Sequence, residues 1–342
     1  MALQYKDLVV LAKTAANANP TSPVAYSFGE EKFSYADLCD TLRSELKELV
    51  GTFSLWRENK NTVFALMEET INDYLPKRVL EQYGQFAEIK TFKQGDRPVF
   101  TQRITTASKR RAKQFITKVG LAGIYEVFKL DGKSYEVPTS AFGGAAQIGL
   151  EEFLDGRVDF ADVLEIVMEG LDEVIYIEIE RALKGAVVNL QEANKHSDTS
   201  FVEAEMDRLI SIADAYGQST IYCTYEFAAT MVPSEGWISD AMKDQKWNNG
   251  YLANYKGHRV IVLPQSFEDE TNTVKVIDPS YAWIIPTGAD KPVKVAFEGT
   301  AIVDEYVNKD RSREIQVYQK VGVGALITNN ICVYQNTALT TA

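Results

Sequence analysis

Histidine and cysteine are scarce in this 342-residue chain, with two histidines (His196, His258) and three widely spaced cysteines (Cys39, Cys223, Cys332). A disulfide framework or a zinc site needs such residues in clusters, so neither is expected, and the cysteines read as small apolar core residues. No run approaches the roughly 20 consecutive apolar residues of a membrane span. The first seven residues lack a basic segment followed by an apolar one, so no secretory signal is expected and synthesis in the cytoplasm is. Gly-x-Ser-x-Gly, phosphate-loop and His-Glu-x-x-His patterns are missing. Cys223 with His258 is one of the few nucleophile–base combinations open to the chain, and nothing in the spacing supports it. Gly322-Val323-Gly324 lacks the third glycine and the following helix of a dinucleotide loop. No catalytic residue, metal or cofactor is therefore expected. There is no internal repeat and no low-complexity tract.

Positive charge is also in deficit. Lys and Arg number 36 against 48 Asp and Glu, a net charge of −12. A dedicated nucleic-acid binder is usually basic, because its affinity comes from neutralising phosphates.

What is present is a mixed α+β pattern. Residues 5–15 can form a helix, broken by Asn17-Ala18-Asn19-Pro20. Ser34 caps a second helix with Asp37 as its capping-box partner, and Leu38, Leu42, Leu46 and Leu49 follow helical spacing. A third helix, residues 62–75, is expected to stop at Pro76. These helices make a poor core alone and must lie on something else. Residues 86–90 and 98–104 look like strands, and 123–128 with 134–137 around Asp131-Gly132 give a hairpin signal. Between them runs a basic stretch, Lys109, Arg110, Arg111 and Lys113. From 90 to 118 there are nine Lys or Arg against one Asp, a net of +8.

The most periodic segment is 158–184. Phe160, Val163, Leu164, Val167, Met168, Leu171, Val174 and Ile175 fall on one helical stripe, with Asp159, Asp162, Glu165, Glu169, Asp172 and Glu173 opposite. The helix would be roughly 39 Å long at about 1.5 Å per residue. Glu178 interrupts the stripe, and Arg181 can pair with it. Residues 151–184 hold eleven acids against three bases, a net of −8. Beyond 186, helices are expected at 201–216, 225–231 and 233–244. Strands are expected at 219–225, 258–264, 273–277, 282–286, 293–298, 314–319 and 321–333.

This order resembles the Hong Kong 97-type major capsid proteins of tailed bacteriophages. The resemblance covers nearly the whole chain and is clearest in Thr220-Ile221-Tyr222-Cys223-Thr224 before a short helix. It shows again in Gly250-Tyr251-Leu252 leading through Tyr255-Lys256-Gly257 to the strand His258-Arg259-Val260-Ile261-Val262. A third match is the closing Gly322-Val323-Gly324-Ala325-Leu326. It implies an N-terminal arm (1–85), an extended loop (86–130), a peripheral domain with a long spine helix (131–185), an axial domain (186–290) and return strands to the peripheral domain (291–342).

The implied function is self-assembly, as hexamers and pentamers, into an icosahedral shell around double-stranded DNA. The implied location is the virion, with a separate scaffolding protein, a portal and room for a decoration protein. Packaged DNA would be touched non-specifically at most, consistent with an acidic chain. In that family the extended loop reaches over a neighbour. Lys109, Arg110, Arg111 and Lys113 are then expected to meet a neighbour's Asp159, Asp162, Glu169 or Asp172. DNA contact is the other reading of the basic run, though only Phe115 could stack on a base. Crosslinking of a loop Lys to Asn329, Asn330 or Asn336 would need a buried Glu that the sequence does not identify. An encapsulin-like nanocompartment shell and an unrecognised cytoplasmic enzyme are the alternatives.

Overall fold

A computed structural model describes residues 4–18, 26–28, 31–84, 87–102, 133–148, 160–232, 239–263, 265, 267, 269, 271–286, 291–307, 313–326 and 330–340. Three helices open the chain: α1 (Tyr5–Asn17), α2 (Tyr35–Val50) and α3 (Phe53–Tyr83), with a small antiparallel pair, β1 (Tyr26–Phe28) and β2 (Glu31–Phe33), between the first two. The expected capping box is formed. Ser34 Oγ accepts from the Asp37 amide, and the Asp37 carboxylate accepts from the Ser34 amide.

The third helix does not stop at Pro76 but carries it inside. A mid-helix proline costs about 3 kcal/mol. Beyond it, however, Val79 and Tyr83 are buried, and Tyr83 stacks on Tyr176 with ring centroids 5.2 Å apart. Burying two such side chains returns roughly 1.5–3 kcal/mol each, enough to carry the helix through.

The helices lie on a four-stranded sheet of order β3-β12-β13-β6, formed by β3 (Ala87–Phe92), β12 (Val293–Val307), β13 (Arg313–Ala325) and β6 (Ser140–Ile148). β12 and β13 are long antiparallel partners with an irregularity between Glu298 and Ile302, and β3 runs parallel to β12. Gly322 is required on β13, because a Cβ there would stand 2.5 Å from the Pro138 carbonyl oxygen. The long helix α4 (Phe160–Val187) crosses between this sheet and α3 and continues past Gly185. Arg181 does pair with Glu178.

The second body is a six-stranded sheet, β7-β14-β11-β8-β10-β9. Its strands are β7 (Lys195–Asp198), β8 (Ser219–Cys223), β9 (Asn254–Tyr255), β10 (His258–Val262), β11 (Tyr281–Pro286) and β14 (Cys332–Asn336). Helices α5 (Glu203–Asp214) and α6 (Tyr225–Thr230) pack on it, and α7 (Asp240–Asn249) follows in the chain before β9.

Two expectations change here. Residues 273–277 are not a strand beyond a single bridge from Lys275 to Phe267. The Asp269 carboxylate takes the amides of Thr273 (2.9 Å) and Val274 (2.6 Å), and the Gln265 side chain takes both the Ile277 amide and carbonyl. Side chains thus satisfy the backbone groups that a neighbouring strand would otherwise bond. The C-terminal segment also divides. β12 and β13 join the four-stranded sheet, but β14 pairs with β7 and β11 in the six-stranded one. Its Cys332, Val333 and Tyr334 are all buried, which suits an interior strand and not an edge.

Candidate functional site

The expected extended loop has a visible root. β4 (Val99–Gln102) pairs antiparallel with β5 (Lys133–Glu136), so residues 103–132 connect the far ends of a two-stranded stem. The stem is seated on β12. Phe100 is fully buried against Phe92, Val137 and Ala296, with the Lys90 ammonium 4.8 Å from its ring centre. Lys294, 2% exposed, pairs with Glu88 on the neighbouring strand. A lysine that buried needs such a partner, because an unpaired buried charge is far costlier.

Glu298 fixes both feet of the stem at once. One carboxylate oxygen accepts from the Gly95 amide (3.1 Å), ahead of β4, and lies 3.4 Å from the Lys320 ammonium. The other accepts from the Thr139 hydroxyl, just past β5. The Thr139 and Gly95 hydrogen bonds, with Lys320 beside them, hold its carboxyl below the usual carboxylate range. Sequence reading missed this residue, since its partners stand 203 and 159 positions away.

The eight contact residues expected from sequence fare unequally. Lys109, Arg110, Arg111, Lys113 and Asp159 lie outside the described residues, and Asp162 is placed on α4 by its backbone only. Glu169 is exposed on α4. Asp172 departs from the expectation of a solvent-facing acid. It lies 3.5 Å from Arg78 of α3, and burial pushes its carboxyl upward while Arg78 pulls it back. Of the expected stripe, Met168, Leu171 and Ile175 are buried and the side chains of Phe160, Val163 and Leu164 lie outside the described residues, while α3 covers a second side of α4 and takes Asp172 with it.

Two turns further on, Glu180 of α4 accepts from the Asp278 amide (3.2 Å), and Lys184 bridges to the Asp278 carboxylate (2.9 Å). Burial pushes the Glu180 carboxyl up to about 7, against the Asp278 amide and Lys184. Burial also works on Asp278, but Ser280 and Lys184 outweigh it and hold that group low. The cluster ties the long helix to the turn entering β11.

The enzyme-like constellations are closed. His258 lies 3.1 Å from Ser219 Oγ and 3.4 Å from Asp214, which resembles a nucleophile, base and acid. Ser219 is buried, though, and its hydroxyl already donates to Asp214 at 2.8 Å. Cys223 and Cys332 are buried thiols; burial pushes Cys332 up to about 12 and Cys223 further, so neither is poised as a thiolate. Asn330 and Asn336 are buried too, and Asn329 lies outside the described residues.

The sequence matches, over residues 13–335, the model of the YonB family, described as "SPbeta prophage-derived putative capsid protein YonB". The chain belongs to this capsid-protein family. Among solved structures it is similar to the capsid of a native GTA particle, with TM-score 0.50 and 11% identity over 74% of this chain and 89% of that one. It is also similar to the head of Helicobacter pylori bacteriophage KHP40 (TM-score 0.47, 14% identity, 74% and 90% covered). A third similarity is to the SrpI encapsulin of Synechococcus elongatus (TM-score 0.41, 11% identity, 61% and 77% covered). No curated protein matches significantly. The fold is the Hong Kong 97-type capsid fold, and this capsid protein is a structural component of a phage head. Among its described residues, no helix is long and apolar enough to cross a membrane.

Proposed function

We propose that this major capsid protein closes an icosahedral shell around double-stranded DNA, as hexamers and pentamers of itself. It is read as made in the host cytoplasm, without catalytic activity. The four-stranded body is read as the peripheral domain and the six-stranded body as the axial domain. A separate scaffolding protein and a portal are the expected partners, with a decoration protein optional.

The observation that supports this best is the stem. Thirty residues rich in Lys and Arg hang from two strands whose feet are locked by Glu298 and whose side is locked by Phe100. A rigid root lets a polar loop present charge to a neighbouring subunit without paying much ordering entropy on contact. Lys109, Arg110, Arg111 and Lys113 are proposed to meet Glu169, and Asp159 and Asp162, of that neighbour. Each exposed pair contributes about 0–1 kcal/mol, yet repetition over many copies sets orientation and makes assembly salt-sensitive.

The test is the double reversal Arg110→Glu with Arg111→Glu, followed by electron microscopy and by thermal unfolding of the free subunit. Loss of shells with an unchanged unfolding midpoint supports the reading, and normal shells from the double variant defeat it. DNA or a portal co-purifying with wild-type shells supports a phage head, whereas a packaged enzyme would assign the particle to a nanocompartment.

A further inference from the structure

The end of α4 and the turn entering β11 meet through three charged groups that do not balance. Glu180 and Asp278 are each 9% exposed, and one ammonium serves both: Lys184 Nζ lies 2.9 Å from Asp278 and 3.9 Å from Glu180. Asp278 is the better supplied, since the Ser280 amide also donates to it at 2.9 Å. Among the described residues, Glu180 has the Asp278 amide at 3.2 Å and that more distant ammonium. The other titratable groups facing it are Tyr176, one turn back on α4, and Tyr281 on β11, and neither brings positive charge. Two buried carboxylates sharing one cation compete for it, and the one with fewer partners carries the burden of burial. That one is Glu180, pushed up to about 7, while Ser280 and Lys184 hold Asp278 low.

Both sides of the cluster are free to give. Apart from the bridge between Lys275 and Phe267, residues 271–277 lie in no strand ladder, and the Asp269 and Gln265 side chains hold their backbone. Such a segment can open without unravelling a sheet. On α4, Gly185 follows Lys184, and a Cβ there would meet nothing within 4 Å. Packing does not demand a glycine at this point, and a glycine weakens a helix interior relative to alanine.

We infer that Glu180, Lys184 and Asp278 form a proton-operated latch between α4 and the turn at residues 278–280. Protonated, Glu180 keeps its buried seat while Lys184 and Asp278 close a neutral pair. Ionised, it leaves a second negative charge in the cluster, which is relieved when the turn lifts from the helix and water reaches the carboxylate. Opening therefore becomes more frequent as pH rises from 4.5, the ordinary value regained in the open state, to about 7, by at most about 300-fold, and levels off above. The latch belongs to the single subunit, so it stands or falls apart from the shell reading.

Native-state hydrogen exchange on the full wild-type subunit between pH 5 and 8 tests it, with rates expressed as protection factors so that the intrinsic pH dependence of exchange is removed. Protection of the Asp278 and Ser280 amides should fall by at least about tenfold across that range, while Ser219–Cys223 keep theirs. In Glu180→Gln the fall should vanish. In Asp278→Asn, which leaves Lys184 to Glu180 alone, it should shrink, and this variant decides the matter if the first does not fold. A flat wild-type profile overturns the latch. So does a fall that persists undiminished in either variant, because another group would then carry the proton.

Discussion

The two bodies of this molecule are held together by different means. In the four-stranded body, charge reaches inside. Lys294 faces Glu88, Glu298 binds Gly95, Thr139 and Lys320, Lys60 of α3 meets the nearly buried Glu305 side chain at 2.8 Å, and Arg78 meets Asp172. The six-stranded body has an apolar and aromatic centre, in which Phe227 and Phe201 pack on Tyr334 and Phe201 also meets Tyr255 edge-on at 6.0 Å. Its ion pairs, such as Lys256 with Glu203 and Asp207, stay at the rim.

Apolar burial is strong but non-directional, whereas a bonded carboxylate fixes an angle. The body that must aim a stem and two long helices has spent buried charge on direction. The other needs only a stable core beneath its surface loops.

The largest expected effect follows from that core. Phe227→Ala should cost about 3–5 kcal/mol in denaturant unfolding, because it removes a fully buried ring from a packed cluster. A loss below about 1 kcal/mol would show that the six-stranded body is loosely packed and would erase the contrast.

Next comes Glu180, at the junction of the two bodies. Its folded pKa is raised to about 7 from 4.5, so the ionised form is disfavoured in the folded chain. That cost is absent below about pH 4.5, grows as pH rises towards 7 and is complete above it. Asp278 acts in the opposite sense: held low, it adds stability above its unfolded pKa that is lost in acid. Glu180→Gln keeps the oxygen that accepts the Asp278 amide and removes the charge. The variant should be more stable than wild type at pH 8, by at most about 3 kcal/mol. The difference should shrink as pH falls and vanish below about pH 4.5, as thermal melts across that range would show. An equal or lower midpoint at pH 8 would mean that the Lys184 attraction offsets the burial.

A smaller effect is expected at the capping box. Ser34→Ala should cost about 1 kcal/mol and be felt mainly in α2, which hydrogen exchange can localise.

That box was legible in the sequence because it is local: two side chains and two amides within four residues. The strands of the closing sheet were legible for the same reason, since alternation in Val293-Lys294-Val295-Ala296-Phe297 needs no knowledge of the partner. What could not be read is non-local. Pro76 looked like a helix end because nothing nearby announces that Tyr83 will stack on Tyr176. Asp172 looked solvated because a helical wheel assumes one buried face, and α4 has two.

Cys332–Asn336 fell among the return strands expected of the peripheral domain, but its pairing with β7 and β11 depends on the whole six-stranded sheet. Glu298 carried no signal, as one of many strand acids until Gly95 and Thr139 are brought to it.

The contrast between pinned and packed bodies is tested most directly by native-state hydrogen exchange on Glu298→Ala beside the wild type. Removing the carboxylate should raise exchange at the Gly95 amide and along Val99–Gln102 and Lys133–Glu136, while Ser219–Cys223 and Tyr281–Pro286 keep their protection. Unchanged protection along the stem would contradict the account, because the loop's root would then owe its position to Phe100 alone.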